Sequence, residues 1–300
     1  MNNSEFDIIY KQKLMDTFKF LVTFLNEHNL RWWVAYGTII GAVRHKGLIP
    51  WDDDIDIFMP RDDYMKLLSY KQEFKKASDG HYEIEHLLSN PEYGARFAKA
   101  MDMTTTIQAQ DYIPSIMGVF VDIFPLESSN ATKDAILKTK AKVYSAWTDY
   151  FDYVKHFPFS DFWRNTSLKQ LYKKIKTNCK SNQIKKKDAL KRALSSEKDA
   201  SDSNFGEGKY CFCLYGAYRE KDIYLAEWFK GNKEVEFEDM LVKIPSGYHE
   251  MLTQIYGDYM TPPPISKCIP RHLPYYVNLK ERLTLDEVKH RVKYGETVQY

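Results

Sequence analysis

The first hydrophobic pattern along the chain is helical. Between residues 5 and 29, apolar side chains recur at intervals of three and four with Lys and Asp between them, as on one face of a helix. A short apolar and aromatic run at 31–36 predicts a strand. Gly37 and Thr38 then turn the chain, and the Thr38 hydroxyl can cap a short helix that extends to about His45.

The next pattern has the period of a strand. Acidic and apolar residues alternate at 54–59, which predicts a strand that Pro60 ends, and residues 62–70 return to a helical pattern. Four further strands are predicted at 82–87, 95–101, 104–110 and 118–124. The first part of the chain is therefore predicted to be mixed α/β, with a small sheet.

The pattern changes after Pro125. It predicts, in order, a helix at 132–157, a polar and basic region at 168–200 that overlaps a loop at 195–208, short strands at 210–244, a helix at 246–256 and a proline-rich extended segment at 257–270. We therefore predict two regions, a mixed α/β core at 1–130 and a mostly helical C-terminal region at 131–300.

Composition changes this picture little. Hydrophobic residues make up 44% and charged residues 28% of the 300, which is ordinary for a globular protein. The net charge of +2 does not indicate a nucleic-acid partner. Four cysteines without zinc-finger spacing predict free, buried thiols in a reducing compartment. The first residues do not resemble a signal peptide, and no run approaches the roughly 20 apolar residues of a membrane span, so the expected location is cytoplasmic.

Two compositional features leave alternatives open. The lysine-rich region at 168–200 is usually a solvated helical face, and its alternative is a peripheral dock for the anionic inner face of the membrane or for an acidic polymer. Aromatic residues reach 15%, with 22 tyrosines. Core packing is their ordinary use, and the alternative is a site for a flat or cationic ligand such as a sugar, a base or a quaternary ammonium group.

The acidic strand carries the candidate chemistry. Asp54 and Asp56 are two positions apart, so on a strand their side chains share a face. Two carboxylates about 4 Å apart repel by about 4 kcal/mol at an effective dielectric constant near 20. A proton, a basic side chain or a cation can relieve this repulsion, and a pair of hard oxygen ligands favours Mg²⁺ or Mn²⁺. The alternative is a solvated acidic turn.

Two further features strengthen the hypothesis of a metal and phosphate site. A glycine followed by a hydroxyl residue at a helix N-terminus, as at Gly37 and Thr38, can bind a phosphate. Asp122 is a lone acid within an apolar strand, where burial without a partner is costly. It therefore requires either a metal or a strong hydrogen-bonding partner.

These residues resemble the LicD family of phosphocholine transferases, which lies in the nucleotidyltransferase fold superfamily. Residues 37–45 and 49–56, with the sequences GTIIGAVRH and IPWDDDID, carry the first part of the likeness. Fukutin and fukutin-related protein are similar through the same acidic motif. Further blocks follow in family order at 97–99 with 104–106, 121–126, 242–247, 256–263 and His272. The likeness spans about residues 30–275.

The resemblance implies a nucleotidyltransferase-like small mixed sheet flanked by helices. Residues 1–130 would be the catalytic core, and residues 131–300 would complete the active-site cleft. The resemblance also implies roles for particular residues. The metal ligands, for two Mg²⁺ or Mn²⁺ ions, would be Asp54, Asp56 and Asp122, with Asp122 also the general base. The phosphate-side turn and the donor-phosphate contacts would be Gly37, Thr38, Arg44, Lys99 and His272. Asp52 and Asp53 belong to the motif without a predicted ligand role. Glu127 departs from the family pattern, in which an Asp is expected.

The resemblance also implies an activity, which is metal-dependent transfer of phosphocholine from CDP-choline to a hydroxyl of a cell-surface glycan precursor, with release of CMP. The acceptor would be a teichoic acid, lipopolysaccharide or capsule precursor. Alternatives within the fold are a CDP-ribitol or CDP-glycerol phosphotransferase, or a true nucleotidyltransferase. Alternatives of another class are a non-catalytic module that binds a glycan or nucleotide, and a nucleic-acid binder that uses the lysine-rich helices.

Overall fold

The computed structural model describes residues 3–90, 93–155, 167–179, 183–269 and 274–295. Within them, the α-helices are α1 (Asn3–Glu27), α2 (Tyr36–Ile40), α3 (Arg61–Ser69), α4 (Lys71–Ala77), α5 (Lys133–Val154), α6 (Leu168–Cys179), α7 (Gln183–Lys198), α8 (Tyr248–Tyr256) and α9 (Leu285–Lys293). The strands are β1 (Trp33–Val34), β2 (Asp56–Pro60), β3 (Tyr82–Glu85), β4 (Ala98–Gln108), β5 (Met117–Ser129), β6 (Tyr210–Cys213), β7 (Ile223–Leu225), β8 (Asn232–Phe237), β9 (Met240–Pro245) and β10 (Tyr276–Asn278).

One mixed sheet organises the fold. Its central order is β1-β2-β5-β4-β10, with β3 also paired to β4, β6 to β5, and β7 to β6. The β2 and β5 strands are parallel, and the other pairs are antiparallel. Strands β8 and β9 form a separate hairpin. The predicted class, a mixed α/β fold with a sheet flanked by helices, is confirmed.

Helix α1 packs against the sheet as its sequence pattern predicts. Leu14, Phe18, Leu21 and Leu25 are fully buried and lie at intervals of three and four. The helix contacts β4 and β5, so one end of it can contribute side chains to the surface of the central strands.

Several predicted boundaries are wrong in detail. Strand β2 begins at Asp56, so Asp54 lies before the strand rather than on it. Thr38 lies inside α2, whose N-cap is Ala35, and the helix continues as a π-helical turn through His45. The two strands predicted at 95–101 and 104–110 are one strand, β4, with a register shift between Asp102 and Ile107.

The physical reason for the continuous β4 is a side-chain network at this irregularity. The Asp102 carboxylate accepts hydrogen bonds from the Thr104 backbone N–H at 2.8 Å and from the Thr104 hydroxyl at 2.6 Å. It also pairs with Lys13 of α1 at 3.1 Å. These contacts provide partners for the polar groups between residues 102 and 104. The sequence pattern alone predicts that the strand ends there.

The C-terminal part of the chain joins the same sheet. Strands β6, β7 and β10 all come from beyond residue 130, and α5 and α7 pack on each other. The boundary at 130 therefore stays a prediction, although the sheet contains strands from both sides of it.

Of the four thiols, Cys211 and Cys213 are buried as expected, whereas Cys179 is exposed and Cys268 is half-buried. No helix among the described residues is long and apolar enough to cross a membrane.

Candidate active site

Three charged side chains form a row across the centre of the sheet. In the strand register, Lys99 of β4 lies opposite Asp122 of β5, and Asp122 lies opposite Asp56 of β2. Residues that pair across neighbouring strands point to the same face, so the three side chains lie side by side. The Lys99 ammonium forms an ion pair with the Asp122 carboxylate, and both side chains are largely buried.

The surroundings of Asp56 disfavour its charged form. Burial raises the pKa of its carboxyl well above its ordinary value, and the nearby carboxylates of Asp54 and Asp122 raise that pKa further. The Lys99 ammonium opposes them by lowering the pKa of Asp56. A cation at this position would relieve the same repulsion, because it favours the charged carboxylates.

A second group of carboxylates lies directly before β2. Oxygens of Asp52, Asp53 and Asp54 all lie within 4.8 Å of one another, and we call these three residues the acid loop. Helix α1 contacts this segment through two hydrogen bonds. Tyr10 donates to the Asp53 carbonyl at 3.1 Å, and Lys11 donates to the Pro50 carbonyl at 2.6 Å. The acid loop is therefore held at a fixed place beside the sheet.

Gly37 and Thr38 connect α2 to these acids. A Cβ atom on Gly37 would lie 3.1 Å from an Asp52 carboxylate oxygen, so the glycine permits this close approach. The Thr38 hydroxyl accepts a hydrogen bond from the Asp56 N–H at 2.9 Å, which fixes the beginning of β2. The two residues thus lie beside Asp52 and Asp56. A phosphate contact by either of them stays a prediction.

Arg44 contacts Trp51, the residue before the acid loop. Its Nη1 donates to the Tyr259 carbonyl at 2.6 Å, and its guanidinium lies 5.9 Å from the centre of the Trp51 ring, next to Asp52 in the chain. Burial lowers the pKa of Arg44 below its ordinary value. The predicted contact at His272 lies outside the described residues.

A cavity of about 580 Å³ opens beside the row of charges and the acid loop. This volume lies within the range of small-ligand sites. The polar lining includes Asp7, Gln110, the acid loop, Lys99 and Asp122, and the aromatic lining consists of Phe6, Tyr10, Trp51, Phe97 and Phe120. Lys99 joins the two kinds of surface, because its Nζ lies 3.4 Å from the centre of the Phe120 ring.

The structure brings most of the predicted residues together and adds others. Asp54, Lys99 and Asp122 line the cavity, whereas Asp56, Gly37, Thr38 and Arg44 lie beside its lining residues. Sequence reasoning missed the contribution of α1 through Phe6, Asp7 and Tyr10, because an amphipathic pattern does not identify which cleft a helix end reaches. Sequence reasoning also gave Asp52 and Asp53 no ligand role, although both belong to the acidic run.

A second cavity of about 480 Å³, around 201–205, is lined by none of the predicted site residues.

Fold and site together define a mixed α/β protein with clustered carboxylates, a buried lysine and aromatic rings at a cavity of small-molecule size. Residues 29–166 match the family model described as LicD/FKTN/FKRP, nucleotidyltransferase domain. The match covers β2, β4 and β5, which carry the row of charges, and also the acid loop. The resemblance of this chain to the LicD family is therefore confirmed.

Individual relatives support the same relationship. The chain is 29% identical to the lipopolysaccharide cholinephosphotransferase LicD of Haemophilus influenzae in an alignment of 257 positions, which covers 79% of this chain and 84% of that protein. Over 44 residues it is 39% identical to the human ribitol 5-phosphate transferase FKRP, a match that covers 15% of this chain and 9% of FKRP. An uncharacterized protein of Rickettsia typhi is 39% identical over 62 residues, which are 21% of this chain and 19% of that protein.

Proposed function

We propose that this protein is a metal-dependent phosphotransferase that moves phosphocholine from CDP-choline to a hydroxyl of a cell-surface glycan precursor and releases CMP. The observation that carries the proposal is the row of Lys99, Asp122 and Asp56 beside the acid loop, at the edge of a cavity of small-ligand size. Clustered carboxylates can bind a divalent cation and a lysine can bind a phosphate, and both take part in phosphoryl transfer.

The residues fit a divalent cation. Asp54, Asp56 and Asp122 would hold Mg²⁺ or Mn²⁺, and an all-oxygen ligand set favours these ions. The raised pKa of Asp56 supports this assignment, because a site that already concentrates negative charge gains most from a cation. When bound, the metal would supply neutralisation of charge on the donor phosphates. Asp52, which Gly37 allows to lie close to α2, is an additional candidate ligand.

The remaining steps belong to side chains of this protein. The Asp122 carboxylate would accept the proton of the acceptor hydroxyl as its oxygen attacks the phosphorus that carries choline. The bond between that phosphorus and the oxygen of CMP breaks, and CMP leaves with the electron pair. Lys99 is buried against Phe120 and would offset negative charge on the donor during transfer.

The relatives and the cavity support choline as the alcohol. A protein whose name describes transfer of cholinephosphate to lipopolysaccharide aligns with most of this chain. The Phe6 and Tyr10 rings of α1 lie 6.1 Å apart in a stacked arrangement and line the cavity next to Asp7. Aromatic faces with a nearby carboxylate bind quaternary ammonium groups, so we assign the choline end of the donor to this wall. The acceptor would be a lipopolysaccharide, teichoic acid or capsule precursor.

A CDP-ribitol or CDP-glycerol donor is the second candidate. It is favoured by the match to the ribitol 5-phosphate transferase FKRP, although that match is confined to 44 residues. Incubation of the protein with Mg²⁺, a sugar acceptor and each CDP-alcohol in turn separates the candidates through the rate of CMP release. We expect CDP-choline to give the fastest release. Pyrophosphate release from a nucleoside triphosphate would instead identify a true nucleotidyltransferase.

Asp56→Asn tests the metal assignment. The substitution keeps the shape of the side chain and removes one charge from the cluster, so we expect transfer to fall by at least about a hundredfold with the fold retained. Asp79→Asn, at an exposed position, makes the same chemical change and should leave the rate unchanged. Chelation of divalent ions should abolish transfer by the wild-type protein. Near-normal transfer by Asp56→Asn would overturn the assignment.

Tyr10→Leu tests the aromatic wall. Loss of the ring should raise the KM for CDP-choline by about tenfold and change that for CDP-glycerol much less, since only choline carries the cation. Tyr10→Phe is the matched control, because it keeps the ring and removes the hydrogen bond to the Asp53 carbonyl. Equal effects of Tyr10→Leu on the two donors would contradict the choline assignment.

A further inference from the structure

Helix α6 presents three of its apolar side chains to solvent. Leu168, Tyr172 and Ile175 are 86%, 67% and 45% exposed, and their spacing of four and three places them on one face of the helix. Thr177, on the opposite face, is only 7% exposed. A helix on the surface of a globular protein normally has the reverse arrangement, with its apolar stripe inward. The outward face of α6 therefore has the composition of a contact surface.

The charges of α6 are of one sign. The helix carries four lysines, which are Lys169, Lys173, Lys174 and Lys176, and no acidic residue. Lys169 and Lys176 are exposed and lie along one edge of the apolar stripe. Long lysine side chains can extend from an apolar surface to charged groups beside it. An apolar stripe bordered by lysines is the arrangement of a helix that lies in the plane of an anionic membrane surface.

We propose that α6 is a peripheral membrane-binding helix, with Leu168, Tyr172 and Ile175 inserted among lipids and the neighbouring lysines at anionic headgroups. A lysine-rich region alone fits any acidic partner. The outward apolar stripe distinguishes a lipid surface, because an acidic polymer would leave Leu168 and Ile175 in water. The lysines also disfavour a second copy of α6, since symmetric pairing would bring like charges together with no acid on the helix to balance them.

This inference does not rest on the proposed transfer reaction. Membrane binding through α6 requires neither a nucleotide donor nor a metal, and none of the proposed catalytic residues lies on this helix. A glycolipid acceptor would give such binding an obvious use. The protein could nevertheless bind membranes without being a phosphotransferase, or the reverse, and separate measurements distinguish the two outcomes.

Sedimentation with lipid vesicles tests the proposal on the full chain. We expect binding to phosphatidylcholine vesicles that contain phosphatidylglycerol, little binding to pure phosphatidylcholine, and weaker binding as salt increases. The double variant Leu168→Ser, Ile175→Ser should reduce the fraction bound by about tenfold at low salt. The variant Lys169→Gln, Lys176→Gln should reduce binding to anionic vesicles and make it less sensitive to salt.

Matched controls remove an apolar side chain or charges elsewhere. Leu241→Ser removes a side chain that is 58% exposed on β9, and Lys230→Gln with Lys280→Gln removes two exposed charges. Neither control should change vesicle binding. Absence of binding to anionic vesicles, or equal binding by the α6 and control variants, would overturn the proposal. So would a dimer in sedimentation equilibrium that the Leu168 and Ile175 substitutions dissociate while vesicle binding is absent.

Cys179 offers a direct reporter, because it is exposed at the end of α6, one turn beyond Ile175. Cys211 and Cys213 are buried, so a Cys268→Ser variant directs a polarity-sensitive fluorophore to Cys179. We expect a blue shift of its emission on addition of anionic vesicles and no shift with phosphatidylcholine alone. An unchanged spectrum while the protein sediments with vesicles would place the contact elsewhere and overturn the assignment to α6.

Discussion

The environment of His86 makes the stability of this protein depend on pH. His86 is 3% exposed, and its Nδ1 accepts a hydrogen bond from the Leu88 N–H at 3.1 Å. Burial lowers the pKa of His86 from 6.5 to about 4, and the charge of Arg61 contributes in the same direction. The folded protein therefore holds this imidazole neutral over a range in which the unfolded chain would protonate it.

This environment predicts acid destabilisation. As pH falls from the ordinary pKa of 6.5 towards about 4, the unfolded state takes up a proton that the folded state does not. The free energy of unfolding should therefore fall over this interval, by about 3 kcal/mol in total from this one residue. Urea denaturation of wild type and His86→Asn at several pH values measures the effect, because Asn keeps an acceptor for the Leu88 N–H but does not titrate.

The control for this prediction is His290→Asn, at an exposed position on α9. It should leave the pH dependence of unfolding as it is in wild type. A His86→Asn variant whose stability falls with acid as steeply as that of wild type would show that other groups cause the effect.

At the scale of elements, one ion pair links α1 to the irregular part of β4. Asp102 is 1% exposed and pairs with Lys13, while it also accepts two hydrogen bonds from Thr104. The same helix provides Tyr10 and Lys11, which hold the acid-loop segment, so the position of α1 on the sheet matters for the cavity. Helix packing and site geometry are therefore connected through this contact.

Asp102→Ala should destabilise the fold by about 1–3 kcal/mol, because it removes the buried acceptor shared by the partly exposed Lys13 and Thr104 groups. Thermal or urea unfolding measures the change. Lys19→Ala, on the same helix as Lys13, is the comparison. It breaks an exposed pair with Asp239 and should cost no more than about 1 kcal/mol. Equal effects of the two substitutions would contradict the importance of the Asp102 contact.

For the whole molecule, Arg61 connects the two predicted regions. Its guanidinium pairs with Glu127 of β5 and, at 2.8 Å, with Glu197 of α7. Both carboxylates are buried, at 1% and 8% exposed. Burial raises the pKa of Glu127, and Arg61 opposes this rise. Glu127, which departs from the expected family residue, thus has a structural partner in this fold.

Arg61→Met should destabilise the protein by about 3–5 kcal/mol at neutral pH, because two buried carboxylates lose their counter-charge. The loss should shrink at lower pH. A carboxyl whose pKa is raised in the folded state takes up a proton more readily there than in the unfolded chain, so acid relieves the strain. Urea unfolding of wild type and variant at about pH 7 and about pH 5 tests both statements. A pH-independent difference would contradict this account.

The local sequence pattern determined several helices, one strand and the main candidate site residues of this protein. The period of apolar residues identified α1, α3 and α5, and the acidic and apolar alternation located β2 to within two residues. The motif at 37–56 carried the resemblance to the LicD family, and the lone acid in an apolar strand identified Asp122 as a residue in need of a partner. These features are local, because propensity, periodicity and the cost of burying a charge act within a few residues.

Only the tertiary structure decided which residues meet. Asp56 and Asp122 lie 66 positions apart in the chain, and the parallel register of β2 and β5 makes them neighbours. The pairing of Lys99 with Asp122, the position of Phe6 and Tyr10 at the cavity, and the outward apolar face of α6 likewise depend on how distant segments pack. Sequence periodicity shows that an element has an apolar face, whereas register and packing determine what that face contacts.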